Sequence, residues 1–415
     1  MRNATLLSLG LLVLCAETMS AQTSNCSDAS WSLTEMLRIG DIDGDAALSH
    51  VNDLAIGPDG RIYVAQPMVP EVWIFDAEGT FLRTLGRAGV GPGEFRLGLT
   101  AIGWSGDSLW VADVERIHFF DPDGRFVRSI GFRAIVSEEG SILVPGVPLA
   151  SGSFLGTRLI NNHPQYAAGN DRMSVWTASP SGEDIRAIGS QNWTDVYVGF
   201  DLGSGRTGHE AHPLSFRQLG STASARRAVT ADGSAVWLVE QPWPSGAAEG
   251  RFGLTKISAT GDTLLAHAIA YRARSLSSSD RAELVTEFGA FIAGDYFADA
   301  PPVPAGLRER RRRNAVNALR LPQFYPPVRD LVVGDDGRLW ILRESRPADV
   351  DRWEVYSESG SLEGSVTFQD GRSGPYPWDP RVRLIRATSE EVWGVTLGQF
   401  DVPVIHRFRI DRCPS

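Results

Sequence analysis

Three runs within residues 62–86 decide the fold: Ile62-Tyr63-Val64, then Val72-Trp73-Ile74-Phe75-Asp76-Ala77-Glu78-Gly79, then Phe81-Leu82-Arg83-Thr84-Leu85-Gly86. Each is short, rich in β-branched and aromatic residues, and bounded by turn residues, which is the pattern of a strand. Gly79 supplies the positive φ that a tight hairpin turn needs. Upstream, Val51-Asn52-Asp53-Leu54-Ala55-Ile56 and the turn Pro58-Asp59-Gly60 complete a four-stranded antiparallel unit.

The unit then repeats. A second copy has Trp110-Val111-Ala112-Asp113, Ile117-His118-Phe119-Phe120, Asp121-Pro122-Asp123-Gly124 and Phe126 to Gly131. A third, degenerate copy has Gly152 to Leu155, Val175 to Ala178 and Ile185 to Gly189. A fourth has Arg227-Ala228-Val229, Trp237-Leu238-Val239, Leu254 to Ile257 and Leu264 to Ile269. A fifth has Leu331-Val332-Val333, Leu339 to Leu342, Trp353 to Tyr356 and Leu362 to Phe368. A sixth has Val392 to Val395 and His406 to Asp411. Tyr63, Trp110, Trp237, Trp340 and Trp393 fall at one place in the repeat, and Gly79, Gly124, Gly182, Gly261 and Gly360 at another.

One four-stranded sheet cannot bury both of its faces, so such units must stack around an axis. The expectation is an all-β, six-bladed β-propeller of four-stranded antiparallel blades. The sixth copy stops at its third strand. Leu33-Thr34-Glu35-Met36-Leu37-Arg38-Ile39-Gly40 matches Phe81 to Gly86, closing Gly included. An N-terminal strand that completes the last blade would close the ring and cover an open edge. Residues 275–325 break the period: Ser277-Ser278-Ser279-Asp280 reads as a helix start, and Arg308 to Leu319 as a second helix beyond Pro301, Pro302 and Pro304. This is a helical insertion between blades four and five, with a locally basic run, Arg308 to Arg313. Residues 190–222 form a second irregular stretch.

The segment Ile62 to Phe95 resembles an NHL repeat, notably Val72 to Gly79 followed by Gly86-Arg87-Ala88-Gly89-Val90-Gly91-Pro92-Gly93-Glu94-Phe95. The resemblance is clear over residues 51–131, looser over 225–270 and 326–368, and poor in blade three. It implies a secreted bacterial propeller. The family includes enzymes, receptors and scaffolds, so the resemblance speaks to fold more than to function.

Residues 1–21 read as a signal peptide: Arg2 is a short basic region, Leu6 to Cys15 an apolar one, and Thr18-Met19-Ser20-Ala21 offers small residues for cleavage. The propeller would then occupy residues 22–415, in the periplasm or outside the cell. Leu14 before Cys15 is bulky for a lipoprotein signal. No later segment has the roughly 18 apolar residues of a membrane helix. Cys26 and Cys413 remain at opposite ends, and a closed ring would let them form a disulfide. The formal net charge of -10 excludes the basic footprint of a nucleic-acid binder. Lys256 is the only lysine among the 40 basic residues.

No phosphate-binding loop, serine-elbow or H-E-x-x-H motif is present in the sequence. His209-Glu210-Ala211-His212 would suit a metal only on a helix with a third ligand. Aligning the blades singles out the residue before the apolar part of each inner strand: Asp53, Arg226, Asp330 and Arg383, with Asn52 and Arg329 adjoining. Inner strands line the central channel, so these six should gather near one mouth. They would bind a polar ligand there, or neutralise one another as a structural ring.

Resemblance to the gluconolactonase and regucalcin type of six-bladed propeller implies a Ca²⁺ or other divalent metal held by carboxylate and Asn side chains. Asn52, Asp53 and Asp330 resemble part of that set, and its remaining ligands are not evident. The NHL-type amidating lyase has a histidine-rich zinc site, and the seven histidines here fall at no equivalent positions. The reading is therefore a non-catalytic binding propeller without a cofactor, for a protein, peptide or carbohydrate. The alternative is a metal-dependent hydrolase or lactonase acting in the channel.

Overall fold

The computed structural model describes residues 30–40, 47–67, 69–96, 98–113, 116–131, 135–136, 142–159, 172–179, 184–192, 196–201, 207–212, 227–241, 248–293, 304–318, 323–344, 350–371 and 380–412. Cys26, Cys413, Arg226 and the signal-peptide segment lie outside them.

The first strand is β1 (Ser32–Ile39). Blade one is β2 (Asp53–Ile56), β3 (Ile62–Ala65), β4 (Val72–Phe75) and β5 (Phe81–Leu85). Blade two is β6 (Ala101–Ser105), β7 (Ser108–Ala112), β8 (Arg116–Phe120) and β9 (Phe126–Gly131). Blade three is β10 (Ile135–Val136), β11 (Ile142–Pro148), β12 (Phe154–Leu159), β13 (Arg172–Ala178) and β14 (Ile185–Asn192). A hairpin of β15 (Val196–Asp201) and β16 (Thr207–His212) precedes blade four. That blade is β17 (Arg227–Val229), β18 (Ala235–Glu240), β19 (Glu249–Ser258) and β20 (Thr263–Arg272). Helices α1 (Ser278–Ala293) and α2 (Ala305–Ala318) form the insertion. Blade five is β21 (Val328–Val333), β22 (Leu339–Arg343), β23 (Asp351–Tyr356) and β24 (Leu362–Phe368), and blade six is β25 (Arg383–Ala387), β26 (Glu391–Leu397) and β27 (Pro403–Asp411).

The chain is a six-bladed β-propeller. Its blades are up-and-down antiparallel sheets with the first strand innermost, and blade three carries the short β10 as an extra edge strand. The sixth sheet runs β1-β27-β26-β25, so the chain's first strand is the outer strand of its last blade. The β1–β27 register runs from Ser32 opposite Asp411 to Ile39 opposite Ile405.

Six apolar clusters among the described residues each lie between two neighbouring blades, from one against two round to six against one. This placement follows from strand alternation, which gives each blade two apolar faces to cover. The repeating aromatics Tyr63, Trp110, Trp237, Trp340 and Trp393 are all buried in these seams. The repeating turn glycines have a second reason beyond φ. A Cβ on Gly124 would meet the Arg83 side chain on the outer strand of blade one, and a Cβ on Gly261 would lie 3.2 Å from the Ile188 carbonyl oxygen on blade three. A Cβ on Gly79 would lie 3.0 Å from Leu37 and Ile39 of β1. So β1 stands to blade one as each outer strand stands to the blade after it.

The insertion begins with a reciprocal cap, Asp280 N–H to Ser277 Oγ at 3.1 Å and Ser277 N–H to Asp280 Oδ2 at 2.9 Å. Its base is clamped by Arg274, which donates to Glu344 at 2.6 Å and lies 3.6 Å over the Tyr325 ring. Arg308, Arg310, Arg312 and Arg313 are exposed on α2. The His209 to His212 segment lies on strand β16, not in an irregular loop, and the helical spacing that a two-histidine ligand set needs is absent.

Closure makes a stability prediction. Ile39 is 4% exposed in the seam between blades six and one, whereas Met36 on the same strand is 47% exposed. Ile39→Ala should lower the unfolding free energy by about 2–4 kcal/mol, and Met36→Ala by less than about 0.5 kcal/mol. Urea denaturation of the two variants checks the difference.

Candidate functional site

Strand register shows how the charged positions relate. Ala55 faces Tyr63 across the β2–β3 ladder, and Asp53, two residues earlier, faces Ala65. Val332 faces Trp340 in blade five, and Asp330, two residues earlier, faces Leu342. In blade six Arg383 faces Val395, two residues beyond Trp393. Asp330, Arg383 and Asp53 thus hold one place in three successive blades. Blade two has Ala101 there, opposite Ala112. Arg226 falls outside the described residues; its neighbour Arg227 faces Leu238 and is 9% exposed.

Arg383 is the hub of this group. Its guanidinium reaches across the ring seam and donates to the carbonyl oxygens of Asn52, at 3.1 Å, and Val51. Burial pulls its pKa down, while the charges of Asp330 and Asp53 push it up. Asp53 accepts from Leu54 N–H at 2.9 Å and from Ile102 N–H at 3.1 Å, tying blade one to blade two. Asp330 accepts from Leu331 N–H at 2.8 Å. Burial raises both carboxyls to about 6, against the opposing pull of those hydrogen bonds and of Arg383.

The two adjoining residues turn elsewhere, as neighbours on a strand must. Asn52 donates to the carbonyls of Leu99 at 3.2 Å and Thr100 at 2.6 Å. Arg329 donates to Asp351 at 2.7 Å and lies 3.6 Å from Glu344. Asn52, Asp53 and Asp330 therefore do not converge as metal ligands: the Asn52 amide faces carbonyls through its nitrogen, and a guanidinium stands beside the two carboxyls. Among the described residues no group of three or more His, Cys, Asp or Glu is placed to hold a metal. The residues present do not fit the metal set implied by the lactonase resemblance.

A cavity of about 610 Å³ extends from this level along the axis and draws its walls from all six blades. Its polar groups include Asp53, Arg227, Asp232, Asp335 and Arg386, and Trp104 and Trp110 stand in the blade-two wall. Arg386 donates to Asp335 across the seam between blades five and six. Hydrogen bonds from Thr230 and Ser234 hold Asp232 below the ordinary carboxylate range. Burial draws the Arg227 guanidinium down to about 10. Arg386, Asp335 and Trp104 escape a reading of the repeat alone. The register of β25 shifts between Leu384 and Arg386, and that bulge moves Arg386 off the alternation set by Arg383.

A family model described as a 6-bladed beta-propeller matches residues 46–132, which carry blades one and two. No curated protein matches the chain. Among solved structures, a protein of Bacteroides fragilis described as exported is 10% identical, covering 94% of this chain and 97% of its own, with a TM-score of 0.48. Virginiamycin B lyase from Staphylococcus aureus is 10% identical over 92% and 99%, with a TM-score of 0.39. A calcium-binding regucalcin from Agrobacterium tumefaciens is 8% identical over 91% and 96%, with a TM-score of 0.40.

The raised carboxyls predict a pH dependence. A carboxyl whose pKa is higher folded than unfolded binds protons preferentially in the native state. Its stabilising contribution is complete below its unfolded value, near 3.8, and is lost as pH rises through about 6. Asp330→Asn should therefore reduce the drop in unfolding free energy between pH 5 and pH 8 by roughly 1 kcal/mol. Denaturant titrations of wild type and variant at the two pH values measure it.

Proposed function

We propose that this chain is an exported, NHL-like propeller whose central cavity binds a carbohydrate, without chemistry in the channel. The observation that supports it most is the wall composition. Carboxylates and guanidiniums from several blades surround about 610 Å³, within the usual range of small-molecule sites, and two indoles lie on one side. Sugar hydroxyls donate to Asp and accept from Arg. The C–H face of a sugar ring packs on an indole, which joins a broad apolar surface to a polar edge.

Export rests on the segment Arg2 to Ala21. No helix among the described residues is long and apolar enough to cross a membrane. The disulfide between Cys26 and Cys413 is part of the same proposal. Ser32 pairs with Asp411, and the Arg412 guanidinium lies 4.8 Å over the Trp31 ring, so the chain's two described ends run side by side.

Two measurements test the reading. Calorimetric titration with neutral and acidic mono- and oligosaccharides should find a binder whose affinity falls at least about tenfold in both Trp104→Ala and Arg386→Ala, the loss of one good contact. Binding that survives both substitutions, or none across the panel, overturns the carbohydrate assignment. For the disulfide, a thiol-alkylating reagent applied to unfolded, exported protein should modify Cys26 and Cys413 only after reduction.

A further inference from the structure

Outside the channel, the sixth blade holds a second polar arrangement. Thr396 Oγ1 lies 2.8 Å from His406 Nε2, and His406 Nδ1 lies 3.0 Å from Glu35 Oε1. The three residues come from β26, β27 and β1. Register places them on one face of the sheet: Gly394 and Arg38 flank His406 on either side, Thr396 faces Val404, and Glu35 faces Phe408. With no side chain on Gly394, the imidazole can lean diagonally to Thr396. The register shift between Glu35 and Leu37 is a bulge at Met36, and it sets Glu35 on the same face as Arg38. Bulges re-aim side chains in this way beside active sites.

These residues line a groove of about 590 Å³ between the outer parts of blades five and six. Trp31, Phe368, Phe408 and Leu397 give it an apolar wall. Phe408 stacks on the imidazole at a centroid distance of 5.5 Å and an angle of 9°, fixing the ring plane. His406 is 6% exposed, Glu35 opens to solvent, and Thr396 is half-buried with its side chain on the groove. Burial lowers the His406 pKa and so favours neutral imidazole. A carboxylate at Nδ1 selects the tautomer with the proton there. That leaves the Nε2 lone pair facing the threonine hydroxyl, the arrangement a nucleophile and its base require.

From this geometry we propose a hydrolytic site at the rim of blade six, with Thr396 as nucleophile, His406 as general base and Glu35 as the residue that positions it, acting on carboxylic esters with an apolar or aromatic acyl group. The Thr396 oxygen attacks the ester carbonyl carbon and its proton passes to His406 Nε2. The C–O bond to the leaving alcohol breaks and the alcohol takes that proton. Water then loses a proton to His406 and attacks the acyl carbon. The acid departs and Thr396 recovers its proton. Arg38 lies across His406 from the strand of Thr396, and its charge lowers the His406 pKa.

The test uses the full chain with p-nitrophenyl acetate, butyrate and benzoate, and a fluorophosphonate probe followed by peptide mass spectrometry. Wild type should hydrolyse at least one ester and carry the label on Thr396. Thr396→Ala and His406→Gln should lower kcat/KM by about 100-fold or more with unchanged melting, and Thr396→Ser should retain activity. The pH–rate profile reads the positioning role of Glu35. Glu35, Arg38 and Asp370 are the charged groups lining the groove around His406. Glu35 raises the His406 pKa. In Glu35→Gln the acid limb of the profile should therefore move to lower pH as the rate falls. Absence of hydrolysis and labelling in folded wild type, hydrolysis undiminished in Thr396→Ala, or an acid limb unmoved in Glu35→Gln overturns the proposal.

Discussion

Antiparallel pairing of β1 with β27 is the contact on which the ring depends. Every other blade is assembled from consecutive strands and could form its hairpins locally. The sixth needs a strand from the far end of the chain, whose residues pair with partners from Asp411, opposite Ser32, to Ile405, opposite Ile39. Without β1, the outer edge of β27 would present unpaired backbone groups, and Ile39 and Leu37 would leave the seam to blade one. The six clusters between blades form a cycle, so loss of one seam weakens the constraint on the five others. This non-local closure also raises the entropic cost of folding, because a loop spanning nearly the whole chain must close before the last seam can form.

The same constraint explains what the sequence made legible. Turn glycines, seam aromatics and the strand period recur because every blade meets its neighbour in the same geometry. Gly79 and Gly124 show it directly, since both abut the preceding outer strand, and in Gly79's case that strand is β1. The equivalence of Asp53, Asp330 and Arg383 follows from the same repeat and is visible in the register. What the repeat could not supply were departures from it. Arg386 enters the cavity wall through a bulge, and no period-2 reading anticipates a bulge. Asn52 and Arg329 adjoin the equivalent positions in sequence, but alternation turns each away, to Thr100 and to Asp351. The hairpin of β15 and β16 and the added β10 lie where the repeat is weakest, around blade three.

Charge inside the channel is arranged in two layers with different consequences. Near the start of the inner strands, Arg383 sits between Asp330 and Asp53 and also holds blade-one carbonyls. Together with the backbone N–H donors it opposes the upward pull of burial on the two carboxyls, and it fastens the closing seam. This layer is chiefly structural, because its polar atoms already meet backbone partners. Further along the axis, Asp335 and Arg386 are paired but border open volume, and Trp104 lines the same cavity from blade two. A ligand in this layer would compete only with side-chain pairing, which is the cheaper exchange. Structural neutralisation accounts for the first level, and the proposed ligand binding belongs to the second.

The rim arrangement carries the closure argument furthest. Thr396 and His406 come from adjacent strands of one blade, whereas Glu35 arrives only when β1 docks. Until then His406 Nδ1 would face solvent and no carboxylate would select its tautomer. The strand that completes the sheet therefore also completes the hydrogen-bonded chain, with the Met36 bulge turning Glu35 toward the imidazole. Formation of that chain is tied to formation of the ring, since both require the same backbone pairing between residues at the two ends of the described chain.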